Sequence, residues 1–374
     1  MLVKSLLLSL TIFLSYPVWS QVGQVSQAAQ ASGFLSVAKN RHWTPIDPSA
    51  IRRFNTEQLS PSEKLIADRA SVLAKNSSLL SLLMIEKGKI IFEHHNKPAS
   101  EDKHFLSWSM SKTLTAMTVG TAFCSGKIDS LDKSAADYSS ELVGTQLGAS
   151  SVRNLLTMSS GVADSLSNGE FIQNAWLRIA IDQTLTGLEY MHQFGGNGTG
   201  FFKDRKPGES FNYSNLDTLA LESVIQSRGG FLKEFDENIW MKIGSEKKGS
   251  WIVDKNNRAV AYAGFSATTR DWGRLAMWSI DRLKGSDVCM REFMTSLTKS
   301  QMANNSKVAP NFKSYGYQTW IGNIGSRSSY WWVGYGGQRV GIEPETERII
   351  VVSSWREDYM DQIYELFATW QTMN

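Results

Sequence analysis

Residues 105–124 read FLSWSMSKTLTAMTVGTAFC, and this stretch decides the fold. It changes character at Ser109. The segment before Ser109 looks extended, whereas from Thr113 onward the chain is small, apolar and free of glycine except Gly120. This composition predicts a long buried helix that Ser109 opens. Lys112 follows Ser109 at position i+3, and on a helix those two positions face the same way.

A serine paired with a lysine in this way suits nucleophilic catalysis. A serine hydroxyl becomes a nucleophile when a neighbouring base takes its proton. Burial drives a lysine toward its neutral form, because desolvation disfavours the charge, and a neutral amine accepts a proton. Backbone N–H groups at the start of a helix also favour developing negative charge. Ser109 and Lys112 are therefore the candidate nucleophile and base.

The motif Ser-x-x-Lys is weak evidence by itself, because the chain contains it six times. Only the copy at Ser109 opens an apolar helix. The other copies lie in a leader or in polar stretches, where a lysine is simply solvated; they begin at Ser36, Ser100, Ser130, Ser245 and Ser296. No Gly-x-Ser-x-Gly elbow occurs, and the five histidines give no local signature of a Ser-His-Asp triad.

The first twenty residues are predicted to be a secretory signal peptide. Lys4 supplies the positive start, Ser5–Trp19 form an uncharged and mostly apolar run, and cleavage is expected after Ser20. The mature protein is then expected in the periplasm or outside a bacterial cell, with no stable membrane span. An uncleaved anchor is the alternative, but the run is short for a span of roughly 20 residues. Residues 21–48 are predicted to be a loosely attached leader.

Composition excludes some functions. The chain has 374 residues and a net charge of only +3, without a basic stripe, so nucleic-acid binding is not expected. The two cysteines and the scattered histidines lack the spacing of a zinc site. An oxidising compartment permits a bridge between Cys124 and Cys289, and the sequence leaves the pairing open. It favours a buried thiol, because Cys124 closes an apolar helical stretch.

The remaining patterns predict an α+β fold. Ser60–Glu63 carry the residues of a capped helix start, and two apolar runs around Gly88 predict a β-hairpin. Helical spacing appears in three segments, 152–158, 216–226 and 269–283. Strand patterns follow in segments 315–321, 329–333, 338–342 and 349–354. A last helix is predicted over 358–369. The simplest assembly is an antiparallel sheet built from both chain ends and flanked by helices.

This assembly predicts two lobes. Residues 49–115 and 300–374 form the sheet lobe, and residues 116–299 form an inserted, mostly helical lobe. The active site is expected between the lobes.

Four stretches resemble one superfamily. Ser109-Met110-Ser111-Lys112 resembles the active-site helix of the serine β-lactamases and penicillin-binding proteins, and Tyr213-Ser214-Asn215 resembles the Tyr-x-Asn element of their class C-like branch. Residues 155–161, LLTMSSG, make the chain most similar to the 6-aminohexanoate-dimer hydrolases and family VIII esterases of that branch. Residues 332–338, WVGYGGQ, lie where the third family motif is expected. The resemblance covers roughly residues 50–370 and implies a β-lactamase/transpeptidase-like fold.

The resemblance also implies roles. Ser109 attacks the substrate carbonyl, and Lys112 and Tyr213 form the proton relay. Which of the two is the base is left open, because coupled groups titrate as a unit. Asn215 is implied to bind the substrate amide or to orient Lys112, although its position also suits a cap for a helix that begins near Leu216.

The third motif departs from the family pattern. The backbone N–H groups of Ser109 and Gln338 are implied to form the oxyanion hole. Tyr335, followed by Gly336 and Gly337, occupies the position of a Lys or His that meets the substrate carboxylate. An uncharged phenol cannot give that charge-assisted contact, although Tyr335–Gly337 is also compatible with a mere strand edge.

The expected function is therefore that of an esterase or amidase. It acts on a small, linear or neutral acyl substrate and needs no metal or organic cofactor. β-Lactamase or D-alanyl-D-alanine carboxypeptidase activity is one alternative, and a non-catalytic peptidoglycan-binding protein is another.

Overall fold

The computed structural model describes residues 40–162, 169–194, 206–306, 308–322 and 324–373. The predicted signal peptide and most of the predicted leader lie outside the described residues.

An eight-stranded antiparallel sheet forms the scaffold, in the order β3-β2-β12-β11-β10-β9-β8-β7. Its strands are β2 (Leu79–Glu86), β3 (Lys89–His95), β7 (Met302–Ala303), β8 (Ser314–Tyr315), β9 (Trp320–Gly322), β10 (Ser329–Gly334), β11 (Gln338–Glu343) and β12 (Arg348–Ser354). The two ends of the chain meet where β2 pairs with β12, with Leu83 opposite Val351. The predicted α+β fold with a sheet from both chain ends is confirmed.

A second antiparallel sheet has four strands in the order β1-β5-β6-β4. These are β1 (Arg41–Trp43), β4 (His104–Leu106), β5 (Ser250–Ile252) and β6 (Phe265–Thr268). The prediction of a loose leader up to residue 48 is wrong at its end, because Arg41–Trp43 pairs with Ser250–Ile252. A three-residue strand is too short to show a period of two in the sequence.

Eleven helices of the described residues are named in chain order. They are α1 (Pro61–Leu73), α2 (Met110–Cys124), α3 (Gln146–Ala149), α4 (Val152–Leu156), α5 (Gly169–Ala180), α6 (Gly187–Phe194), α7 (Asn215–Gln226), α8 (Phe231–Asn238), α9 (Thr269–Lys284), α10 (Val288–Leu297) and α11 (Met360–Gln371). The predicted start of α1 is confirmed, since Ser60 and Glu63 form a reciprocal capping box. None of the described helices has both the length and the apolar character needed to cross a membrane.

The predicted strand 315–321 is wrong in one respect. It is two short strands, β8 and β9, joined by a turn in which the backbone N–H of Gly316 donates to the carbonyl of Thr319 (2.8 Å). Gly316 is pressed against α10, because a Cβ built there would lie 2.1 Å from the carbonyl oxygen of Leu297. The aromatic residues on both sides of the turn gave the segment a uniform strand composition.

Helices cover both faces of the large sheet. Helix α9 packs against β2 and β12 although it belongs to the predicted helical lobe, and the division into lobes stays a prediction. Helix α11 buries one face, which includes Met360, Ile363, Tyr364, Phe367 and Trp370. Trp331 and Trp332 lie in two different core clusters, as expected for neighbours on one strand.

Cys124 and Cys289 form a disulfide, with their Cα atoms 5.6 Å apart. The expectation of a buried thiol at Cys124 is therefore wrong. The reason is the close packing of α10 on α2: a Cβ built on Gly120 would lie 2.6 Å from the ring of Phe293. This approach brings the start of α10 beside the end of α2, and no local pattern around either cysteine reveals it.

Candidate functional site

Ser109 lies where three parts of the fold meet. Strand β4 leads into it, and the backbone N–H of Ser107 donates to the carbonyl of Phe265 on β6 (2.8 Å). Gly334, at the end of β10, lies on the other side. A Cβ built on Gly334 would be 2.2 Å from the carbonyl oxygen of Ser107, so only glycine allows this approach. Helix α2 starts directly after Ser109, whose side chain remains partly exposed.

Lys112 is fully buried beneath Ser109. Its Nζ donates to Ser109 Oγ (3.2 Å), to Asn215 Oδ1 (2.6 Å) and to the backbone carbonyl of Tyr262 (3.2 Å). The rings of Tyr213 and Tyr262 also flank the amine, with centroids 5.0 and 5.3 Å from Nζ. The structure thus brings together the four residues that the sequence singled out, which are Ser109, Lys112, Tyr213 and Asn215. Tyr262 was missed, because a backbone carbonyl has no sequence signature.

Tyr213 and Asn215 enter the site from the start of α7. Tyr213 is nearly buried, and its ring stacks on Trp320 with centroids 5.3 Å apart. The interpretation of Asn215 as a helix cap is wrong, because Ser214 is the cap: its Oγ accepts from the N–H groups of Leu216 (3.1 Å) and Asp217 (3.3 Å). The amide oxygen of Asn215 points instead to Lys112.

Tyr335–Gly337 form a single 3-10 turn between β10 and β11. Gly336 and Gly337 have φ angles of 72° and 90°, which is the left-handed region that favours glycine. Tyr335 is half-buried, and the edge of its ring meets Trp108 with centroids 5.7 Å apart. Burial and the nearby carboxylate of Glu357 raise the pKa of Tyr335 above its ordinary value, so the phenol stays uncharged.

The side chain of Gln338 is directed into the sheet. Its Nε2 donates to the carbonyl of Ser354 (2.6 Å), and its Oε1 accepts from Ser353 Oγ (2.8 Å). This side chain is therefore committed to the scaffold. Only the main chain of Gln338, which lies opposite Gly334, is left for a role in binding substrate.

Gln318 ties together the two helices that carry the site. Its Oε1 accepts from Thr218 Oγ1 on α7 (2.8 Å), its Nε2 donates to the carbonyl of Leu155 on α4 (2.8 Å), and its own carbonyl accepts from Thr113 Oγ1 on α2 (2.6 Å). Thr113 follows Lys112, and Thr218 lies one turn after Asn215. Sequence reasoning missed Gln318 because it lies inside an aromatic segment that was predicted to be a strand.

Replacing Gln318 by alanine is expected to lower the free energy of unfolding by about 2–6 kcal/mol, because two buried polar groups lose their partners at about 1–3 kcal/mol each. Urea denaturation measures this change. Gln301→Ala is the matched control, since Gln301 is exposed and an exposed substitution usually changes stability by no more than about 0.5 kcal/mol. Equal stability of the two variants would contradict the stabilising role assigned to the hydrogen bonds of the Gln318 side chain.

The described residues contain no group of three or more His, Cys, Asp or Glu side chains that could hold a metal ion.

Comparison with known proteins gives consistent results. The beta-lactamase family model matches residues 75–370. The 6-aminohexanoate-dimer hydrolase of Paenarthrobacter ureafaciens is 23% identical over 297 residues, which cover 74% of this chain and 72% of that protein. A Bacillus anthracis structure, described as a candidate 6-aminohexanoate-dimer hydrolase, has a TM-score of 0.71 at 18% identity and covers 93% of this chain and 92% of its own. EstCE1, a hydrolase with promiscuous acyltransferase activity, has a TM-score of 0.67 at 13% identity. The match covers 83% of this chain and 100% of the EstCE1 chain.

Proposed function

We propose that this chain cleaves a linear ester or amide through an acyl-enzyme on Ser109. The chain belongs to the beta-lactamase family and is a serine hydrolase of that superfamily. The match of the family model to residues 75–370 confirms the family resemblance expected from the sequence. The observation that carries the finer proposal is the position of Lys112 Nζ, 3.2 Å from Ser109 Oγ in a fully buried setting.

The hydrogen bonds of Lys112 support its role as the base. A neutral lysine amine has two N–H groups and one lone pair. Asn215 Oδ1 and the carbonyl of Tyr262 can only accept hydrogen bonds, so they take the two N–H groups. Ser109 Oγ also lies within hydrogen-bond distance of Nζ (3.2 Å), so a neutral amine at this position can accept the serine proton.

The proposed reaction follows from this arrangement. Ser109 Oγ attacks the carbonyl carbon as its proton passes to Lys112 Nζ. The oxyanion is held by the backbone N–H groups of Ser109 and Gln338, and removing one such donor typically costs about 10²–10³ in rate. The bond to the leaving group breaks, and the leaving group takes the proton by way of Tyr213. Water then attacks the acyl-enzyme by the same route, releasing the acid and regenerating Ser109.

The substrate class rests on two observations. The Paenarthrobacter ureafaciens relative is named for hydrolysing 6-aminohexanoate dimer, which is a linear amide. Tyr335 offers an uncharged phenol where a cation would bind a substrate carboxylate. The first favours a linear substrate and the second an uncharged acyl group, over the β-lactamase and carboxypeptidase alternatives. A non-catalytic, peptidoglycan-binding role has no use for the lysine buried against Ser109.

We also propose that the protein is exported. The predicted signal peptide is one support, and the disulfide between Cys124 and Cys289 is another, because disulfides persist mainly in oxidising compartments.

A fluorophosphonate, which reacts covalently with activated serines, tests the acyl-enzyme proposal. The intact protein is expected to gain one adduct, mapped to Ser109 by peptide mass spectrometry, because Lys112 activates that hydroxyl. Ser109→Ala is expected to gain none. Ser130→Ala is the matched control: Ser130 begins another Ser-x-x-Lys on the surface, and this variant should label like the unaltered protein. Labelling that persists in Ser109→Ala would refute the assignment.

A further inference from the structure

We propose that Trp108, Trp176 and Tyr335 form an aromatic wall beside Ser109 that binds the acyl part of the substrate and selects an uncharged, apolar chain. This inference rests on the proposed acyl-enzyme function and adds the substrate class to it.

Three separate elements build the aromatic wall. Trp108 directly precedes Ser109, Trp176 lies on α5, and Tyr335 starts the turn after β10. The Trp108 ring contacts both of the others, with centroids 5.1 Å from Trp176 and 5.7 Å from Tyr335, at separations typical of favourable aromatic pairs. Trp176 is 4% exposed and backs the wall, whereas Trp108 and Tyr335 keep part of their surface exposed.

The backbone of Trp108 is a second observation. Its φ of 48° lies in the left-handed region, where a bulky residue is a genuine outlier. Glycine would adopt this conformation without strain, so the backbone does not require a tryptophan. Strained residues of this kind persist where the surrounding structure holds them, and they cluster at ligand sites. The large ring is thus kept next to the nucleophile at a cost in strain.

The position of the wall fits the acyl chain and not the leaving group. The leaving group must lie near Lys112 and Tyr213, because these supply its proton. Tyr213 packs in another aromatic group, with Tyr315 and Trp320. The acyl chain is the other substituent of the carbonyl carbon, and we assign it to the wall because Trp108 directly precedes Ser109 in the chain.

The charges near the wall favour an uncharged chain. Glu357 lies close to Tyr335, but it already accepts from the backbone N–H of Gly337 (3.3 Å) and pairs with Arg339 (3.4 Å). Arg339 is buried and also donates to the hydroxyl of Tyr364 (3.1 Å). Among the residues that the structure describes, an ionised chain end placed on these rings would lose hydration without gaining a dedicated counter-charge, whereas an apolar chain would gain contact area.

Four p-nitrophenyl esters with one leaving group test the inference: acetyl, octanoyl, 8-aminooctanoyl and the suberic monoester. The last three have eight-carbon chains that end neutral, cationic and anionic. The intact protein is expected to prefer octanoyl to acetyl by about 50-fold in kcat/KM, because three buried methylenes contribute about fourfold each. Both charged esters are expected to fall at least about tenfold below octanoyl.

Variants locate this preference on the wall. In Trp108→Gly, which suits the backbone, and in Trp176→Ala, the octanoyl-to-acetyl ratio is expected to drop below about fivefold, because most of the buried methylene contact is lost. Trp43→Ala is the control, since Trp43 is 46% exposed and outside the wall, and it should keep the ratio of the intact protein. Using a ratio within each variant separates selectivity from general loss of activity.

Each result supports or overturns the inference. A flat chain-length profile in the intact protein, or a ratio unchanged in both wall variants, overturns it while leaving the acyl-enzyme proposal standing. Preference for 8-aminooctanoyl also overturns it and indicates recognition of a cation by the ring faces. No turnover of any ester, together with no fluorophosphonate adduct on Ser109, refutes the proposed function itself and the wall with it.

Discussion

Replacing Lys112 by methionine is expected to lower kcat by about 10³–10⁴-fold, the upper part of the range for loss of a general base. Methionine is close to lysine in length and suits a fully buried position, so the change removes the base with little loss of volume. Ser109 then loses the amine to which its proton is proposed to pass. Steady-state hydrolysis of p-nitrophenyl octanoate measures the effect.

The chain provides a matched control for this variant. Lys133 ends the Ser-x-x-Lys that begins at Ser130, but it is exposed and paired with Asp129 (2.6 Å). Lys133→Met should keep kcat within about twofold, as expected for a surface substitution away from the site. Thermal unfolding of both variants shows whether they are folded. A folded Lys112→Met protein with more than a tenth of the original kcat would rule out Lys112 as the base.

Removing the disulfide, by Cys124→Ala together with Cys289→Ala, is expected to lower the free energy of unfolding by up to about 5 kcal/mol. The bridge spans a sequence separation of 165 residues, and loop-closure entropy predicts about this value for so long a loop. Denaturation in urea measures it. Reduction of the intact protein with dithiothreitol should give a similar loss, whereas the double variant should not respond to the reductant. An intact protein whose stability is the same with and without reductant would contradict the prediction.

Loss of the disulfide between Cys124 and Cys289 is expected to affect the site as well as the stability of the fold. Ser109 lies at the start of helix α2 and Cys124 at its end, so the bridge fixes the far end of the helix that positions the proposed nucleophile.

The sequence predicted the features that depend on near neighbours in the chain. The hairpin of β2 and β3, the capped start of α1 and the late strands have their own local periods or caps. The pairing of Ser109 with Lys112 is also local, because it follows from one turn of helix.

The missed features depend on distant partners. Tyr262 lies 150 positions from Lys112 and contributes a carbonyl, which every residue has. Gln318 joins helices more than 100 residues apart, and the disulfide depends on how closely α10 approaches α2. Asn215 was ambiguous for another reason: Ser214 and Asn215 are both good caps, and only the observed geometry separates them.

The pairing of β2 with β12 has a consequence for the time at which activity can arise. Leu83 cannot pair with Val351 until the segment that contains Val351 has been made, and pairings of such long sequence separation form slowly. The surroundings of Ser109 are assembled in the same way, from Asn215, Tyr262 and finally Gly334. On the proposed function, a growing chain therefore carries Ser109 for much of its synthesis without the groups proposed to activate it, and hydrolytic activity begins only after the segment with Gly334 has been made.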